Sequence, residues 1–116
     1  MSISKRDLAY LWDMRSAALE IVEFMQGASQ SAFGSNNQLR YAVERQLMVI
    51  GEAARHISDD FQAEHAEIPW EQIIGQRNVL AHDYGEILVE RVWLTATRSV
   101  PEMISLLDQI IPEQNE

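Results

Sequence analysis

Apolar residues recur at spacings of three and four along four separate segments of this chain, and no stretch alternates every second residue for long enough to make a strand. That recurrence lines side chains up on one stripe of an α-helix, and a striped helix must bury its stripe against another element. The expected fold is therefore all-α: an antiparallel four- to five-helix bundle, one domain over residues 1–116. The first segment, residues 4–26, carries Leu8, Leu11, Trp12, Arg15, Ala18, Ile21, Val22 and Met25 on its stripe and stops at Gly27. Residues 28–37 are polar, with Gly34, Ser35 and Asn36, and read as a loop that supplies caps for the next helix. That second helix, residues 37–58, buries Leu39, Val43, Leu47, Ile50, Ala54 and Ile57, while Gly51 and Ala53 are small enough to let another helix come close.

Residues 59–68 form an acidic connection, and Pro69 then stands where a first-turn proline belongs. A third, shorter helix follows, with Ile73, Ile74, Val79 and Leu80 inward and an end near Gly85. The last helix starts around Glu86, with Val89, Val92, Trp93, Ala96, Val100, Met103, Leu107 and Ile110 as its stripe. Pro101 interrupts it. A proline removes one backbone donor and clashes one turn back, so a kink or a break into two helices is expected around residues 98–100. Pro112 closes the fold, and the last four residues are expected to fray.

Composition narrows the chemistry. With 47% hydrophobic and 23% charged residues the chain is an ordinary globular one. The lack of cysteine excludes disulfide frameworks, thiolate zinc sites, iron–sulfur clusters and cysteine nucleophiles, and suits a reducing compartment. No apolar run has the length of a membrane span and no secretory signal opens the chain, so the expected location is cytoplasmic, with no membrane partner. A net charge of −9 opposes the approach of polyanions, so any nucleic-acid contact must be local. The basic residues are eight Arg and one Lys, Lys5, a split that serves internal ion pairs as readily as bidentate contacts to phosphate.

Most catalytic templates fail. The chain has no glycine-rich phosphate loop, no G-x-S-x-G elbow, and no histidine pair at metal spacing with a third ligand, so no cofactor or metal is expected. His56 and His65 read as solvated or partner-satisfied side chains. One segment stands apart. Between Gly75 and Gly85 lie Arg77, Asn78, His82, Asp83 and Tyr84, gathered around the apolar triplet Val79-Leu80-Ala81. On a helix Asn78 and His82, four apart, share one face, and Arg77 and Tyr84, seven apart, share the neighbouring one, while Val79 and Leu80 point into the core.

Such a set suits metal-free work on an RNA phosphodiester. An arginine can hold non-bridging oxygens and stabilise the charge that builds on them, and a histidine can move a proton near neutrality. The 2′-hydroxyl of RNA is an internal nucleophile, so positioning and proton transfer suffice. Transesterification needs a base on one side and an acid on the other, but the motif offers one histidine, which argues for a homodimer that apposes two copies. A structural alternative stands beside this reading: a helix end with His82 near its carbonyls and Arg77 paired to an acid such as Glu52. An Arg five residues before a His is cheap to find by chance. The added Asn78 and Tyr84 make the set specific.

Arg77-Asn78-x-x-x-His82-x-Tyr84 resembles the R-x-x-x-x-H-x-Y motif of HEPN-domain proteins, specifically the HepT-like toxins of bacterial and archaeal toxin–antitoxin pairs. The resemblance extends to Ala42-Val43-x-Arg45-Gln46-Leu47-x-x-Ile50-Gly51-Glu52-Ala53-Ala54, to Ile68-Pro69-Trp70-x-x-Ile73-Ile74-Gly75 and to Val92-Trp93. It implies a small helical bundle, a homodimer with facing motifs, and a metal-independent endoribonuclease acting on RNA. Position by position, it implies that Arg77 and His82 are the catalytic pair and that Asn78 assists substrate placement. Tyr84 matches the tyrosine that a cognate minimal nucleotidyltransferase antitoxin modifies with AMP, in an ATP-dependent, type VII-like toxin–antitoxin pair. An adenylyl group there would fill the site and compete for the arginine. Gln76 stands where relatives often have methionine, and Gly85 where many carry a larger residue, which bears on how the phenol is presented. A HEPN partner or regulatory subunit that binds a nucleotidyltransferase without cutting RNA is the alternative.

Overall fold

Two long helices set the frame of the molecule. A computed structural model describes residues 3–82 and 85–112, with the backbone alone for Arg77, Glu86 and Ile87. Helix α1 (Lys5–Phe24) packs along α3 (Asn37–Arg55), and between them lies much of the core: Leu11, Met14, Ala18 and Ile21 from one, Val43, Leu47, Ile50 and Ala54 from the other. The chain then continues through α4 (Asp59–Glu64), α5 (Trp70–Ile74), α6 (Gln76–His82), α7 (Gly85–Leu94), a π-helical segment (Thr95–Ser99) and α8 (Val100–Ile110), which returns against α1 with Val100, Met103 and Leu107 buried. A short α2 (Gln30–Ser35) precedes α3. The architecture is all-α, and no strand occurs among the described residues.

The helix starts follow from local side-chain chemistry. The Ser4, Ser29 and Ser58 hydroxyls and the Asn36 amide oxygen each accept a backbone N–H three residues on, at 3.0, 3.1, 3.2 and 3.0 Å, opening α1, α2, α4 and α3 respectively. Gly27 ends the first helical stretch at φ +73°, a left-handed conformation that costs glycine little. Ser58 has a second role. Its N–H and hydroxyl donate to the two oxygens of Asp7, at 2.9 and 2.7 Å, tying the start of α4 to the first turn of α1, and Asp7 is buried there.

Three sequence expectations need correction. Residues 28–37 are not simply a loop, because α2 forms within them and drives Phe33 wholly into the core, against Trp93 with ring centroids 5.6 Å apart. The acidic connection of residues 59–68 likewise contains α4, which buries Phe61. In each case a single aromatic supplies the burial that a six-residue helix cannot supply by propensity. The expected third helix is two helices, α5 and α6, divided at Gly75.

A π turn precedes Pro101. Val100 N–H donates to the carbonyl of Thr95, five residues back, and the Thr97 hydroxyl donates to the Trp93 carbonyl at 2.8 Å. A widened turn lets the proline enter the first turn of α8 without a broken connection, and the backbone stays right-handed helical at Leu94, Ser99 and Val100. Among the described residues no helix is long and apolar enough to cross a membrane.

Gly51 is the tightest point of the frame. A Cβ built there would lie 3.0 Å from the carbonyl oxygen of Ile73 and 3.9 Å from that of Ile74, so the end of α5 rests directly on the backbone of α3. At Gly34 the nearest atom to such a Cβ is Val89 Cγ1 at 3.9 Å, an ordinary contact. Gly51→Val is therefore expected to cost about 1–3 kcal/mol through overpacking, whereas Gly34→Ala is expected to be stabilising by about 0.5–1 kcal/mol through helix propensity. Urea denaturation of both variants checks this, and a Gly51→Val protein as stable as the parent would show that α5 can move aside.

Candidate functional site

The segment that carries the chemistry is held from both ends. Upstream, Trp70 is buried and its indole N–H donates to the His65 carbonyl at 2.9 Å, with its ring edge-on to Phe61 at 6.2 Å. Ile73 and Ile74 pack on the core, and the Ile73 carbonyl meets Gly51. Gly75 then donates its N–H to Glu71 and accepts the N–H of Asn78, both at 2.9 Å, and a Cβ at Gly75 would sit 3.0 Å from the Glu71 carbonyl. This crowded turn starts α6 at once.

Helix α6 packs on α3. Val79 and Leu80 are half-buried, with Leu80 against the core, while Asn78 and His82 are exposed. The expected division thus holds for the described side chains: the apolar pair faces inward and the amide and imidazole share the solvent side. The side chain of Arg77 and all of Asp83 and Tyr84 lie outside the described residues, and with them the ridge expected from Arg77 and Tyr84 and the alternative pairing of Arg77 with Glu52.

His56 and His65 have structural partners. The His56 ring stacks on Tyr10, with centroids 5.2 Å apart, and its Nε2 lies 3.3 Å from Glu52. His65 packs on Phe61 at 4.3 Å and lies 3.4 Å from Glu67. Glu52 also accepts a hydrogen bond from Arg55 at 2.8 Å, which holds its exposed carboxyl below the usual range.

A groove of about 660 Å³ borders α6 on its other side, floored by Leu47, Ile50, Val79 and Met103, with Thr95 and Ser99 of the π segment on its rim. Asn78 and His82 lie outside it. Among the described residues no three His, Asp or Glu side chains gather closely enough to hold a metal ion.

The sequence reading passed over one ion pair. On α3, Arg40 Nε lies 3.4 Å from Glu44, with both atoms buried and too poorly aligned for a hydrogen bond. The signal was their spacing of four on one helix. Burial raises the Glu44 carboxyl above its usual range, and the attraction of Arg40 only partly opposes this. A raised native pKa means that the folded protein holds the proton more tightly than the unfolded chain does, so this contribution is favourable at low pH and is lost as pH rises through the native pKa. Glu44→Gln should therefore gain stability relative to the parent between about pH 4 and pH 7. Denaturation at both values checks it, and a variant that loses ground as pH rises would show that the Arg40 attraction prevails.

A family model described as Ribonuclease HepT-like matches residues 14–110. The chain belongs to the HepT-like ribonuclease family. This HepT-like chain is 37% identical over 102 residues to the Methanocaldococcus jannaschii protein "Putative RNase MJ1380", covering 87% of this chain and 94% of that one. A second protein of that organism, "Putative RNase MJ0125", is 34% identical over 113 residues, 97% of each chain. "Probable ribonuclease HepT" of Thermococcus cleftensis is 34% identical over 94 residues, 81% of this chain and 86% of that one. No solved structure matches the chain.

Proposed function

We propose that this HepT-like protein is a ribonuclease toxin, a metal-independent endoribonuclease that works as a homodimer. The observation that carries the reading is the placement of Asn78 and His82 in solvent on a short helix anchored by Leu80 and by the Gly51 contact, in a chain of a ribonuclease family. Arg77 holds the non-bridging oxygens of the scissile phosphate, and Asn78 places the substrate. The 2′-oxygen forms a bond to phosphorus as the bond to the 5′-oxygen breaks, which leaves a 2′,3′-cyclic phosphate and a free 5′-hydroxyl. One protomer's His82 takes the 2′-hydroxyl proton, and the partner's His82 gives a proton to the leaving oxygen.

A net charge of −9 opposes broad RNA binding, so contact is confined to the short stretch where the two motifs face each other. His82→Ala and Arg77→Ala are each expected to lower RNA cleavage by at least about 10²-fold, consistent with loss of a general acid–base or an oxyanion-stabilising group, with the parent unaffected by excess chelator. The assay is cleavage of purified RNA followed by end-group analysis. Cleavage that survives both substitutions, or that chelator abolishes, would refute the mechanism, and a parent that binds a nucleotidyltransferase but cuts no RNA would favour a regulatory subunit.

Tyr84 is the proposed acceptor of AMP from a cognate minimal nucleotidyltransferase antitoxin that uses ATP. The transfer joins the phenol oxygen to the α-phosphorus of ATP and releases pyrophosphate. Mass spectrometry after incubation with the transferase should show adenylyl mass on the parent and none on Tyr84→Phe. Equal labelling of the variant would move the acceptor elsewhere.

A further inference from the structure

The groove beside α6 encloses about 660 Å³, the size of a small-molecule site, over an apolar floor. Gln72 and Gln76 line one wall, and Thr95 and Ser99 the other. None of these side chains has a hydrogen-bond partner among the described residues, although Gln76 and Thr95 are half-buried. Thr97, two residues beyond Thr95, bonds back to the Trp93 carbonyl at 2.8 Å, as a threonine within a helix commonly does, whereas the Thr95 hydroxyl makes no such bond. Amides and hydroxyls withdrawn from water without partners are costly unless a ligand satisfies them. Thr95 and Ser99 are also the first and last residues of the π segment, so the widened turn forms that wall.

We propose that this groove receives an unpaired adenine of the RNA strand, one nucleotide away from the scissile phosphate. The inference rests on the ribonuclease reading above and names a site that selects the base. A base is apolar on its faces and polar along its edge, which suits a floor of Ile50, Val79 and Met103 under a rim of amides and hydroxyls. A glutamine amide can pair with adenine through two bonds at once, its oxygen accepting from the N6 amine and its nitrogen donating to N7. The Glu102 carboxylate, which has no partner among the described residues, also lines the groove and can only accept. Adenine offers it the N6 amine, and uracil, whose exocyclic groups are oxygens, offers no amine.

Position connects the groove to the motif. Gln76, Val79 and His82 follow one another at spacings of three on α6, so neighbours in that row stand about 5–6 Å apart. Val79 lines the groove, and His82 is exposed outside it, so a strand with its phosphate at His82 can lay the adjoining base across Val79 and inward. Charge favours the base over the phosphate inside. Arg91 stands against the two carboxylates of Glu67 and Glu102, a balance that repels an anion and accepts N–H donors.

Binding measured without cleavage tests the site apart from the ribonuclease reading. Fluorescence anisotropy with 2′-O-methyl hexa-adenosine and hexa-uridine should show the parent binding the first at least about tenfold more tightly. Gln76→Met and Thr95→Val should each weaken hexa-adenosine binding by at least about fivefold and leave hexa-uridine within about twofold. Gln109→Met, at an exposed position of α8 outside the groove, should bind hexa-adenosine as the parent does, and far-UV circular dichroism checks that every variant is folded. Free AMP is the third probe, since the adenylyl transfer proposed above brings the same base. AMP bound by a parent that does not bind hexa-adenosine would assign the groove to an adenylyl group and overturn its role toward RNA. Equal binding of the two hexamers, or folded groove variants that bind hexa-adenosine as the parent does, would overturn the site and leave the ribonuclease standing. A parent that prefers hexa-adenosine through Gln76 and Thr95 yet cuts no RNA would overturn the ribonuclease and keep the groove as an adenine site.

Discussion

The contact between Gly51 and the Ile73 carbonyl is the constraint on which the placement of the candidate site depends. A hydrogen in place of a side chain lets α5 end directly on α3, and Gly75, where a Cβ would meet the Glu71 carbonyl, turns the chain into α6. Because Val79 and Leu80 lie inward, Asn78 and His82 must lie outward. The exposure of the polar pair is thus a consequence of packing two residues away.

The same helix, α3, serves several neighbours with different faces. Its core stripe meets α1, its glycine face meets α5, and α2, α6 and α7 also pack on it. Its remaining face stays in solvent with Tyr41 and Met48 exposed.

The local pattern of the long helices was legible because it depends on local terms: stripe spacing, the Asn36 cap and a glycine stop at residue 27. The short helices were not. Helices α2 and α4 exist because Phe33 and Phe61 find room in a core built by distant residues, and no six-residue window reports that room. Gly51 was legible as a place for close approach, but the partner that comes close was not. The candidate motif stood out through the unusual grouping of Arg77, Asn78, His82 and Tyr84, whereas the half-buried Arg40–Glu44 pair looked like any surface pair at a spacing of four.

By itself the sequence determined the helical class, the helix caps, the acidic and cysteine-free character and the residues available for chemistry, because these follow from side-chain type and from spacing within a few turns. Tertiary structure alone decided that Gly75 divides one expected helix into two and that a π turn precedes Pro101. Those outcomes depend on which backbone lies where a Gly51 side chain would stand and on where Phe33 and Phe61 find burial, and such contacts arise between residues far apart in the chain.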